Sequence, residues 1–146
     1  MRIVVRRILH HRVRTRMSEK SRFMNVDLDI SSREDLVPLT AALQPELFTL
    51  HVGRNRTRYR ARLEVRTQPR SADAAIQRLV RAIQSLPRRH QGCWKRAITR
   101  DFNIGIQAAA EPHDSEFAVA EATVRMVGKV RGRIIITVYG AALSRG

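Results

Sequence analysis

Cysteine occurs once, at Cys93, which excludes an internal disulfide and a cysteine-built metal cluster. A lone thiol suits a reducing compartment, so the chain reads as cytoplasmic. The five histidines include no His-x-x-x-His pair. The segment His113-Asp114-Ser115-Glu116 offers metal-capable side chains, but no second cluster would complete a shell, and it reads as a solvated loop. No metal and no cofactor is implied. Of the seven glycines only Gly128 and Gly132 lie within a few residues of each other, which excludes a glycine-rich phosphate loop. Aromatic residues are only 5% of the chain, so surfaces for base stacking are scarce. No apolar run approaches the roughly 20 residues needed to span a bilayer. The patches Ile3-Val4-Val5 and Ile8-Leu9 are parted by Arg6 and Arg7, too short for a signal-peptide core.

Acidic residues are also scarce: 13 against 28 lysines and arginines, for a net charge of +15 over 146 residues. That length is one domain with room for a core. The charge is unevenly placed. Residues 1–22 carry eight basic side chains and one acid, Glu19, and so nearly half of the excess. Three readings of this segment compete: a disordered arm that binds polyanions, an amphipathic targeting helix, or a dispensable leader before a true start at Met17 or Met24. The division expected is a basic tail over 1–22 and a single domain over 24–143.

The most regular stretch runs from His51 to Arg66. Even positions from Arg54 onward are all arginine except Glu64, while Tyr59, Ala61, Leu63 and Val65 are apolar. Side chains on a strand alternate between faces, so this is a strand with one face in a core and one basic face outward. Val26, Leu28 and Ile30 alternate with Asp27 and Asp29 in a first strand. Ser31 and Glu34 have capping-box spacing before a helix expected to start near Asp35 and end at Pro45. Phe48, Leu50 and Val52 alternate with Thr49 and His51 in a second strand, and Gly53 to Asn55 is the expected hairpin turn. His51 then shares the arginine face. Ser71 caps a clear amphipathic helix, with Ile76, Leu79, Val80, Ile83 and Leu86 on one side. A shorter helix follows over 88–99, then a strand carrying Phe102, Ile104 and Ile106. A helix over 121–130, stopped at Gly132, precedes a last strand with Ile134, Ile136 and Val138.

The order β-α-β-β-α-α-β-α-β, with one hairpin, argues an α+β two-layer sandwich. Its mixed, mostly antiparallel five-stranded sheet would carry helices on one face. The other face would be polar and open, presenting Asp27, Asp29, the arginine row, Asn103, Gln107, Thr137 and Tyr139. Three pieces of this pattern resemble a known bacterial family. They are Trp94-Lys95-Arg96-Ala97 leading into Arg100-Asp101-Phe102-Asn103-Ile104-Gly105-Ile106, then Phe117-Ala118-Val119-Ala120, and the closing Ile134-Ile135-Ile136-Thr137-Val138-Tyr139. Over about residues 71–139 the chain resembles the small α+β proteins called domain of unknown function 4279. The resemblance implies a fold, no established activity and no functional residue.

The residues expected to carry function are therefore those of the open face: Arg54, Arg56, Arg58, Arg60, Arg62, His51, Asn103, Gln107 and Tyr139. Like charges on one strand face repel, so neighbouring acids would salt-bridge them, counterions or solvent would compensate them, or an anionic partner would. The main reading is a non-enzymatic binding domain, with an acidic protein as one partner. The alternative is a nucleic-acid or polyanion binder using Arg54 to Arg62, since guanidinium matches phosphate bidentately. A hydrolase is the second alternative. Asp27 and Asp29 would stand about 7 Å apart, wide enough for an inverting acid pair, but arginine neighbours would keep both ionised. Cys93, near His90 and Asp101 in sequence, reads as a packed, inert thiol. An alternating strand left at a sheet edge also invites a homodimer by sheet extension.

Overall fold

The computed structural model describes residues 3–8, 20–109 and 114–140. Six strands and four helices follow in the order β1 (Ile3–Ile8), β2 (Arg22–Ser32), α1 (Val37–Leu43), β3 (Leu47–Asn55), β4 (Arg58–Val65), α2 (Ala72–Gln84), α3 (Arg88–Arg96), β5 (Thr99–Gln107), α4 (Glu121–Lys129) and β6 (Arg133–Tyr139). The strands form one mixed sheet in the order β1-β6-β5-β2-β4-β3. Pairing is antiparallel from β5 across β2 and β4 to β3, and parallel at β5–β6 and β6–β1. This is the expected α+β sandwich with one strand more than expected. The sixth strand is Ile3–Ile8, inside the segment read as a basic tail. Residues 9–19 of that segment, and residues 141–143 at the far end of the expected domain, lie outside the described residues. So do residues 110–113, including His113.

The core forms where period-two and period-3.6 patterns meet. Val26, Leu28, Ile30, Ala61, Leu63, Val65, Phe102, Ile104 and Ile134 face the helices, and Leu39, Leu43, Ile76, Leu79, Val80, Ile83 and Val127 face the sheet. Ser71 caps α2 as its position predicts, its side chain accepting from the Ala74 amide. The helix α3 is held down at its end by Trp94, whose indole N–H donates to the Val130 carbonyl at 3.1 Å.

Three local expectations are corrected. The capping box at Ser31 and Glu34 does not form. β2 runs on through Ser32, the Ser31 hydroxyl bonds that of Thr99 at 2.8 Å, and α1 starts at Val37 with the Asp35 carboxylate accepting from its amide. Glu34 instead forks with Arg96 of α3, at 2.6 and 3.0 Å. The hairpin turn is Arg56-Thr57, not Gly53 to Asn55, because Asn55 still pairs with Arg58. Arg56 takes the positive φ, 52°, that the turn requires, while Gly53 is ordinary strand. After α4 the left-handed residue is Arg131 (φ 59°). Gly132 is needed for a different reason, the closeness of Phe102 and Val127.

β3 also departs from strict alternation. Its ladder with β4 shifts between Thr49, opposite Leu63, and His51, opposite Arg62, so Leu50 is an extra residue in a bulge. A bulge breaks the alternation of faces. Leu47, Thr49 and Val52 therefore lie over core-facing positions of β4, whereas Phe48 lies opposite Glu64 on the face away from the helices. Phe48 is 49% exposed. β3 is also a sheet edge, and its bulge interrupts the straight ladder that sheet extension would need.

Candidate functional site

The open face can be described as rows crossing the strands, since residues opposite one another in register share a face. One row is Phe48, Glu64, Asp27, Asn103 and Ile135. The next is His51, Arg62, Asp29, Asp101 and Arg133. A third is Gly53, Arg60, Ser31 and Thr99, and the last is Asn55 and Arg58. Rows are about 7 Å apart, two residues along a strand.

The second row sets the electrostatics. Asp29 and Asp101 stand directly opposite one another on β2 and β5, an arrangement that is unfavourable for like charges. Each is drawn outward by its own arginine. Arg62 forks onto Asp29 at 2.6 and 3.1 Å, and Arg133 onto Asp101 at 2.8 Å on both arms. These hydrogen bonds hold both guanidiniums above their usual range. Arg62 also lies 3.8 Å from Asp27.

The third and fourth rows have no such compensation. Among the described residues, Arg58 and Arg60 make no ion pair or hydrogen bond, and both are exposed. They border a shallow cavity of about 540 Å³ that is also lined by His51, Asn55, Ser31, Thr99, Asp29, Arg62, Asp101 and Arg133. Four arginines against two aspartates leave the lining cationic.

The arginine row of the sequence thus divides. Arg58, Arg60 and Arg62 lie on β4's open face with His51 beside them, as alternation predicts. Arg54 and Arg56 do not join them. Arg54 belongs to β3, opposite Tyr59, and its guanidinium lies 5.6 Å from the centre of that ring on the helix side; Arg56 is in the turn. Arg66, beyond β4, donates to the Gln44 carbonyl. The alternation continues unbroken through a hairpin, so it gave no sign of the change of strand.

Asn103, Gln107 and Tyr139 lie outside the cavity, toward β6. The Asn103 carboxamide oxygen accepts from the Thr137 hydroxyl at 2.7 Å, and the Gln107 amide donates to the Tyr139 carbonyl at 3.2 Å. Tyr139 lies over Gly105, where an added Cβ would stand 3.5 Å from its ring and would collide with the Asn25 side chain. This part of the face is not open: Thr137 is 2% and Ile135 3% exposed. Its polar groups lace the sheet together. Asp101, Arg133, Ser31 and Thr99 are site residues that sequence reasoning left out. Their signal is pairing between strands far apart in the chain, which a single sequence does not carry. Cys93 is partly buried, and burial pushes its thiol up, as an unreactive cysteine requires.

Asp27 differs from its neighbours. Its residue is 9% exposed, and burial, opposed by Arg62 and assisted by Asp29 and Glu64, raises its carboxyl to about 6. The Asn25 amide donates to it at 2.9 Å. A carboxyl raised above its ordinary 3.8 binds its proton more tightly in the folded chain. The contribution of Asp27 to stability therefore falls as pH rises from about 4 to about 6 and is level above that. Asp27→Asn keeps an oxygen for Asn25 and removes the ionisation. The variant is expected to lose this slope and to be more stable than the parent above pH 6, by roughly 1 kcal/mol after solvent screening. Urea unfolding across pH 4 to 8 checks it, and a variant with the parent's slope counts against Asp27 as the titrating group.

Among the described residues no helix is long and apolar enough to cross a membrane. No family model, no curated protein and no solved structure matches the chain.

Proposed function

We propose that this chain is a non-enzymatic binding domain that takes an anionic partner on the open face of its sheet, over the β3–β4 hairpin. The observation that carries this reading is the uncompensated pair Arg58 and Arg60, side by side on β4 at the rim of a cationic cavity. Folding alone gives no reason to keep two bare guanidiniums about 7 Å apart on one strand face. An anion supplies one, through charge-assisted bonds roughly twice as strong as neutral ones. The same face carries Arg62 and Arg133 already held by Asp29 and Asp101, so a ligand meets a rigid border and two free donors. Hydrolysis is not part of the proposal. Asp29 and Asp101 each give both oxygens to an arginine, and the Ser31 and Thr99 hydroxyls bond each other. Cytoplasmic residence and kinship with the domain of unknown function 4279 proteins belong to the same reading, supported by the single cysteine and by the pattern over about residues 71–139.

The test is binding of fluorescent polyphosphate to the full chain over a salt series. Replacing Arg58 and Arg60 together by glutamine is expected to weaken binding about tenfold or more at low salt. Asp29→Asn frees Arg62 and is expected to strengthen binding several-fold. The segment 1–22 adds a salt-dependent background common to all variants, so the differences report the face. Unchanged affinity in the double variant sinks the proposal.

A further inference from the structure

We infer that the ligand of the open face is a single-stranded nucleic acid laid along the β3–β4 hairpin, its phosphates on Arg58 and Arg60 and its bases on the rings of His51 and Phe48. The inference rests on the anion-binding reading above and names the class of ligand. Alternation alone places no phenyl ring among the arginines, because Phe48, Leu50 and Val52 would share the core face. The bulge at Leu50 turns Phe48 out. On the open face β3 then presents Phe48 and His51 in successive rows, both exposed, and β4 presents Arg62, Arg60 and Arg58 alongside. An added Cβ on Gly53 would meet the imidazole at 3.5 Å, so the His51 ring leans over Gly53 toward the Arg60 row, where no side chain stands in its way.

Two parallel rails result, one of rings and one of guanidiniums. Proteins that hold single strands combine these two elements, a cationic track for the backbone and rings on which bases stack. A duplex keeps its bases stacked inside and can use only the guanidinium rail. A run of acidic side chains has no flat ring to stack on this rail. The carboxylates of Glu64 and Asp27 fix the polarity across the rows: they stand beside Phe48 and repel phosphate there, and the bare arginines stand two and three rows away. The phosphates held by the bare arginines thereby gather at the Arg58–Arg60 end, and Phe48, two rows from Arg60, takes the base of a nucleotide further along the strand.

The experiment uses fluorescence anisotropy with the full chain and three probes: a short oligothymidylate, an abasic deoxyribose-phosphate oligomer of equal length, and polyglutamate of equal charge. Phe48→Ala removes an exposed ring, and coincident thermal melts show that its fold is kept. Phe48→Ala is expected to weaken the oligothymidylate about 5- to 100-fold and leave the abasic oligomer unchanged. Replacing Arg58 and Arg60 by glutamine is expected to weaken both and to reduce the salt slope by about 1.4, two phosphates at about 0.7 each. If the arginine variant weakens all probes but Phe48→Ala and His51→Ala leave the oligothymidylate unchanged, or polyglutamate binds as tightly as it does, the anionic reading stands and the single-strand inference is overturned. If the arginine variant changes nothing, both fall.

Discussion

Replacing Arg100 with alanine is expected to destabilise the fold by about 3 kcal/mol and lower its melting temperature by roughly 10 °C. Arg100 is on β5, opposite Ile30, on the helix side of the sheet. Its guanidinium gathers four carbonyls. One terminal nitrogen donates to Trp94, Lys95 and Ala97 at 3.0, 3.2 and 2.6 Å, and the inner nitrogen donates to Arg131 at 2.9 Å. The first three are the C-terminal carbonyls of α3, and the fourth follows α4. Those of α3 are groups a helix leaves short of donors, at the negative end of its dipole. One cation thus closes the end of α3 and fastens it, with the turn after α4, to the sheet. Burial, with the positive Arg131 and Arg133 nearby, pulls its guanidinium below its usual range, so the charge is held here against a cost. Alanine removes this donor from all four carbonyls, two of them partly buried, and leaves that of Trp94 only the Ala97 amide at 3.3 Å. Lysine places one ammonium where a planar fork is needed and is expected to recover only part of the loss. Urea unfolding of both variants checks this. An alanine variant within about 1 kcal/mol of the parent would mean that water replaces the guanidinium at every carbonyl.

A side chain at Gly132 is expected to be nearly as damaging. A Cβ there would stand 2.5 and 2.9 Å from two atoms of the Phe102 ring and 2.9 Å from a Val127 methyl. Neither neighbour has anywhere to go, since both are fully buried in the core. The backbone of Gly132 is itself tied, its amide donating to the Val127 carbonyl at 2.9 Å. Gly132→Ala is therefore expected to cost about 2–3 kcal/mol, and Gly132→Val more, to the point of little folded protein. Phe102→Leu in the same chain makes room and is expected to lower the cost of the alanine, a coupling that a double-mutant cycle measures. Costs that simply add would place the clash elsewhere.

Both residues show where a single sequence stops being informative. Ile76 to Leu86 read as a helix because five apolar side chains repeat at its period, and Tyr59 to Val65 read as a strand because four repeat at two. Those are local signals, and they gave the sandwich and the open face. Arg100 carries no local signal of its role. It is one more arginine in a chain with many, and its partners are carbonyls brought together by the fold. The same holds at the site. Arg58, Arg60, Arg62 and His51 were legible from alternation. Arg54 and Arg56 were misplaced because arginines keep the period through the turn, and Phe48 was misplaced because one extra residue at Leu50 reverses the faces. The ion pair of Asp101 with Arg133 joins two strands that the connection through α4 brings side by side. β1 was missed because Arg6 and Arg7 mask its apolar residues and its partner lies at the other end of the chain.

That last strand has a bearing on how the protein behaves in solution. β1 lies along β6, whose residues Ile134 to Tyr139 contain five β-branched side chains in succession, no charge and no proline. Six such residues with a bare edge are the signature of a segment that recruits copies of itself into stacked sheets. A chain without β1 would have this segment as its outermost strand. β1 is in this sense a cover: with it in place the stickiest strand of the sheet is already occupied, and without it that strand is offered to every other copy.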